Sequence, residues 1–116
     1  MAGMSKVFLT ADVNGDGVLV AATVSPGTLI HTAISGTTQF DEVYLYAHNT
    51  STAAILLTIE IGGVAVVNQI KKTIPASDGA ILIIPGFLLN NTQTINAFAA
   101  SANLINIHGW VNRGNL

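Results

Sequence analysis

Turn-forming residues cut this chain every eight to twelve positions, and no segment between the cuts is long enough for a major helix. Apolar runs rich in Val, Ile, Leu and Thr occupy residues 6–11, 18–24, 28–34, 42–48, 54–61, 64–74, 80–84, 94–100 and 104–111. Asn14-Gly15-Asp16-Gly17, Ser25-Pro26-Gly27, Ser35-Gly36-Thr37-Thr38, Asn49-Thr50-Ser51-Thr52, Gly62-Gly63, Pro75-Ala76-Ser77-Asp78-Gly79 and Pro85-Gly86 separate them. Gly and Asn tolerate positive φ, Pro fixes φ, and Asp and Ser bond their own backbone, so such clusters reverse the chain. No window shows an extended 3.6-residue apolar stripe, although residues 97–102 suit either a turn of helix or a strand. Eight or nine short strands in one domain, residues 1–116, predict an all-β fold. It is an antiparallel β-sandwich or a jelly-roll-like barrel.

Strand parity sharpens this expectation. Val43, Leu45 and Ala47 alternate with Tyr44, Tyr46 and His48, and Ile105, Ile107 and Val111 alternate with Asn106, His108, Trp110 and Asn112. Alternate side chains point to opposite faces, so each strand has an aliphatic core face and a polar, largely aromatic second face. Ile81-Leu82-Ile83-Ile84 is apolar on both faces, which predicts a central strand or one covered by another subunit. Gly62-Gly63 reads as a hairpin turn, since no helix follows that could hold an anion.

Charge is scarce. Four basic and six acidic residues make 9% of the chain, and residues 79–112 contain no Asp, Glu, Lys or Arg, whereas an ordinary soluble domain is roughly 25% charged. Either lipid or other protein must then cover much of the surface. A spanning helix needs about 20 apolar residues, and Pro85-Gly86 and Asn90-Asn91-Thr92-Gln93-Thr94 interrupt the best run. The first residues carry no apolar core of signal-peptide length, so the expectation is no membrane partner. Nucleic acid is not expected either, because only Lys71 and Lys72 are adjacent cations. The charge-poor residues 79–112 are therefore expected to carry much of the subunit contact. There is no Cys, hence no disulfide.

Few residues suggest chemistry. Asp12, Asn14 and Asp16, followed by Gly17, match the first half of a calcium loop. The twelfth position is Thr23, however, which cannot supply the closing carboxylate. The same residues form tight hairpin turns, and that is the preferred reading. His31, His48 and His108 lack metal-ligand spacing and read as surface or interface residues. Asp41 and Glu42, as strand neighbours, point to opposite faces and cannot act as a pair. No G-x-S-x-G is present, and no cofactor or enzymatic activity is expected. The residues with interface character are Tyr44, Tyr46, His48, His108, Trp110, Asn112 and Arg113, which combine apolar area with polar tips.

The segments Phe40-Asp41-Glu42-Val43-Tyr44-Leu45-Tyr46-Ala47-His48-Asn49-Thr50-Ser51-Thr52, Thr73-Ile74-Pro75-Ala76-Ser77-Asp78-Gly79 and Asn103-Leu104-Ile105-Asn106-Ile107-His108-Gly109-Trp110-Val111-Asn112-Arg113, with Pro85-Gly86 between the last two, resemble accessory virion proteins of tailed bacteriophages. The resemblance spans residues 37–113. It implies a β-sandwich on the capsid exterior that decorates or cements the lattice, bound to the major capsid protein as a homo-oligomer, dimer or trimer. A carbohydrate-recognising tail, baseplate or receptor-binding module is the alternative. Residues 1–5 would serve as a flexible arm.

Overall fold

The computed structural model describes residues 4–116, which form nine strands and one short 3-10 turn. The strands are β1 (Ser5–Val7), β2 (Val18–Leu19), β3 (Thr28–Thr32), β4 (Gln39–Asn49), β5 (Ile55–Ile61), β6 (Gln69–Ile74), β7 (Ile81–Leu89), β8 (Thr94–Ala99) and β9 (Ile105–Asn115). Sheet A runs β1-β9-β4-β7, with β2 also on β9; sheet B runs β3-β8-β5-β6. Every strand pairing is antiparallel. The pairs β5·β6, β4·β7, β3·β8 and β2·β9 nest like one long hairpin whose tip is β5–β6, with successive pairs alternating between the sheets. That is a jelly roll, and the expected all-β sandwich class holds.

One apolar core joins the sheets. Val43, Leu45, Ala47, Ile84, Ile105, Ile107 and Val111 from sheet A meet Ile30, Ile55, Leu57, Ile59, Ile74, Ile95, Ala97 and Ala99 from sheet B. Each large aliphatic side chain buried this way contributes about 1.5–3 kcal/mol. Residues 97–99 belong to a strand, not a helical turn.

Several elements differ from the sequence reading, each for a local reason. The first strand ends at Val7 because residues 9–11 cross to sheet B, where Leu9 is buried and Ala11 N–H bonds the Ile30 carbonyl. That crossing also covers the free edge of β3. The second strand stops at Leu19, and Val20 and Ala22 then bond to both sheets, with Ile105 and Ala99 as partners. Residues 64–68 are not strand: Val66–Asn68 is a 3-10 turn, held by Asn68 Nδ2–H donating to the Ile61 carbonyl. Pro85-Gly86 does not end its strand. The strand continues to Leu89 and lies at the edge of sheet A, so it is not central. Two register shifts opposite Val43/Tyr44 and Leu45/Tyr46 place the extra residues Gly86 and Ile83 on β7, and an edge strand tolerates Pro and bulges. Of the expected arm, residues 1–3 lie outside the described residues. Ser5 pairs with Arg113, so the chain is docked from that point on.

Candidate functional site

β4 and β9 pair without a bulge over eleven residues each, from Gln39↔Asn115 to Asn49↔Ile105. This continuous ladder needs Gly109 at its centre: a Cβ there would enter the backbone at Tyr44 and Leu45. With the aliphatic residues turned inward, Tyr44, Tyr46 and His48 stand outward beside Asn106, His108, Trp110 and Asn112. Leu88 and Leu82 of β7 extend the same rows, opposite Glu42 and Tyr46, and Lys6 of β1 stands opposite Asn112.

The aromatic side chains form two stacks, Tyr44–Trp110–Tyr46 and His48–His108. Trp110 lies 5.1 Å from Tyr44 at 16° and 5.8 Å from Tyr46 at 24°, and His48 lies 5.6 Å from His108 at 27°. The Lys6 ammonium sits 5.1 Å from the Trp110 ring centroid. Rings whose centroids are this close and nearly parallel overlap in offset fashion, each pair contributing about 0.5–1.5 kcal/mol beyond its burial. Tyr44 also leans over Gly86, where a Cβ would lie 3.1 Å from its Cζ and Oη. The Trp110 ring is thus flanked by both tyrosines, and this stack presents mainly ring edges and polar tips. Asn112 Nδ2–H donates to Glu42 at 3.2 Å. The Tyr44 phenol is raised above its ordinary value, first by hydrogen bonding to the Glu42 carboxylate, then by desolvation and by the charges of Glu42 and Tyr46, so it remains a donor. Trp110 Nε1 is the buried side-chain polar atom without a partner among the described residues.

Arg113 departs from the expected group. It shares the inward parity of Val111 and closes one end of the sandwich with Asp41, its register partner. Asp41 is fully buried and accepts from Arg113 Nε at 2.7 Å, Arg113 Nη2 at 3.1 Å, His31 Nε2 at 2.8 Å and Ile34 N at 3.1 Å. Burial by itself would raise the carboxyl; the bonds from Arg113 and His31, with the Arg113 charge, outweigh it and hold Asp41 below the usual carboxylate range. The bond to Asp41 in turn raises the Arg113 guanidinium. His31, expected at a surface or an interface, is instead fully buried within the sandwich. Its Nδ1 accepts from the Thr10 N–H at 3.1 Å, which places the proton on Nε2, facing Asp41. Both ring nitrogens are occupied, so His31 has no free lone pair to act as a base on a substrate.

The Asp12–Gly17 segment is a turn: Asp12 Oδ1 accepts from Gly17 N at 2.9 Å, and Asn14, Gly15 and Gly17 take φ of 58°, 87° and 86°. Among the described residues, no three His, Cys, Asp or Glu side chains converge as a metal site. A shallow cleft of about 160 Å³ lies between Phe40, Leu88, Leu89, Asn90 and Leu116, smaller than the roughly 300–1,000 Å³ of small-molecule sites. No helix among the described residues is long and apolar enough to cross a membrane.

Lys6, Glu42 and Leu88 join the outer face without having been assigned to it in the sequence, and Leu82 comes from the run Ile81-Leu82-Ile83-Ile84 expected to be central or covered by another subunit. Parity offered a signal for two of them, since Glu42 shares its phase with Tyr44, and Leu88 follows Pro85-Gly86 in an uncharged run. No protein-family model, curated protein or solved structure matches this chain.

Proposed function

We propose that this protein is a structural virion component that docks on the major capsid protein of a tailed phage and stabilises contacts between capsid subunits. In this reading it acts as a homo-oligomer on the capsid exterior, without catalysis. The observation that carries it is the outer face of sheet A, where stacked Tyr44, Trp110 and Tyr46 adjoin His48, His108, Asn106, Asn112, Leu82 and Leu88, with Lys6 and Glu42 as the charges. Aromatic groups with polar tips and few charges have the composition of protein-interface cores. Repetition over a lattice converts modest individual contacts into firm attachment. Jelly rolls recur in viral capsid domains and equally in lectins, so the analogy of fold fits this reading and its rival alike.

A carbohydrate-binding module is the rival. Sugar recognition on an aromatic platform uses an open ring face, and here Trp110 is flanked by Tyr44 and Tyr46 while Tyr44 covers Gly86. Sedimentation of purified particles tests the choice. The protein should co-band with heads, and particles lacking it should release DNA at a lower temperature. Absence from particles, or glycan-array binding that Trp110→Ala abolishes, refutes the proposal.

A further inference from the structure

We propose that His48 and His108 form a two-imidazole site for a borderline divalent transition metal, Zn²⁺, Ni²⁺ or Cu²⁺, on the outer face of sheet A. The two residues sit on adjacent, fully paired strands, diagonal to each other across the Tyr46↔His108 and His48↔Asn106 register pairs, so their backbones are fixed. The ring centroids are 5.6 Å apart and both side chains are half-exposed. Neighbouring polar groups are already satisfied elsewhere: Asn106 donates to the Asp16 carbonyl and Asn112 to Glu42. Among the described residues, no hydrogen bond takes a ring nitrogen of either histidine, in contrast to His31, whose two nitrogens are both engaged.

Imidazole nitrogen bonds these metals at about 2.0–2.1 Å. A metal bound to one nitrogen of each ring lies roughly 3.2 Å from each centroid, so centroids up to about 6.4 Å apart can share it. The observed 5.6 Å falls within that reach, at an N–metal–N angle near 120° by the same rough geometry. The rings are stacked at 27°, so their lone pairs converge only after rotation about χ2. That torsion is broad and no hydrogen bond among the described residues opposes it, so rotation forfeits only the stacking of the two rings, which the metal bonds replace.

Gly17 defines the wall of the site on one side: a Cβ there would lie 2.9 Å from His108 Cε1 and Nε2. The turn that resembled half a calcium loop therefore borders a nitrogen site. Nitrogen donors select zinc, nickel or copper over calcium and magnesium. Two protein ligands leave coordination positions open to water. The inference is independent of the capsid reading and stands or falls without it.

Titrating the full-length protein with NiCl₂ or ZnCl₂ alone, by calorimetry, tests the site. The expected result is saturable binding of one metal per chain, weakened by at least about tenfold in both His48→Asn and His108→Gln, since loss of even an outer-shell partner costs about 10–100-fold. Ca²⁺ should not compete. Paramagnetic broadening by Cu²⁺ in NMR spectra of the wild-type protein should centre on the His48 and His108 rings and spare His31. This arm needs no variant to fold. Absence of saturable binding, binding unchanged in either variant, or broadening centred elsewhere overturns the proposal.

Discussion

Replacing Asp41 with Asn tests the buried ionic end of the sandwich. The carboxylate receives four donors: two from Arg113, one from His31 Nε2 and one from Ile34 N. Asn keeps the shape but offers one acceptor oxygen and an NH₂ that must face a donor. It also leaves Arg113, whose side chain is only 25% exposed, without its counter-charge. Breaking a buried pair by removing one partner costs about 3–5 kcal/mol. At about 4 °C per kcal/mol for a domain of this size, Tm should fall by about 12–20 °C. Because Asp41 is held below its unfolded value, the unfolded state binds more protons across the window between the two values. The wild-type advantage is thus complete above the unfolded value near pH 4 and is lost as pH falls through the folded one. Urea denaturation from pH 7 to pH 2, followed by circular dichroism, should show Asp41→Asn least different from wild type at the acid end. A loss below about 1 kcal/mol at pH 7, or a difference that grows on acidification, would refute the reasoning.

Two further substitutions probe the scaffold. Gly109→Ala drives a methyl into the Tyr44–Leu45 backbone at the centre of the β4–β9 ladder. It should cost about 3 kcal/mol or more, at the upper end of overpacking, whereas Gly36→Ala, with φ of 78° and open space around it, should cost only about 1–2 kcal/mol of backbone strain; equal losses in denaturant melts would contradict this. Glu60, fully buried on the outer side of sheet B, holds the segment that crosses it by accepting from Ser25 Oγ and Gly27 N. Glu60→Ala should lower stability by about 1–3 kcal/mol and speed amide exchange in residues 21–28 first; unaltered exchange there would show that the strap is held by other contacts.

Much of this architecture is legible in the sequence, and the gaps have physical causes. β4 and β9 read cleanly because each has one aliphatic face, and period-2 alternation reports that directly. β7 is apolar on both faces, so parity is silent. Pro85 was the available sign that the strand belongs at an edge, where a missing N–H is tolerated. Asp41 and Arg113 also show inward parity, in phase with Val43 and Val111. A sequence read locally cannot reveal that they meet across 72 positions, or that His31 completes their bonding. The crossings at residues 9–11 and 20–28 look like strand ends in sequence because they carry the same apolar residues. They leave the ladders only because Leu9 and Val20 are drawn into the core between the sheets.

The central claim is that the outer face of sheet A is the docking surface. The most direct test compares co-sedimentation of wild type, Trp110→Ala and Leu88→Lys with purified heads from which the protein has been stripped. Leu88 is 58% exposed, so its substitution should leave stability within about ±0.5 kcal/mol. Both variants should remain folded and fail to band with heads that wild type saturates. Full occupancy by the folded variants would contradict the assignment of this face.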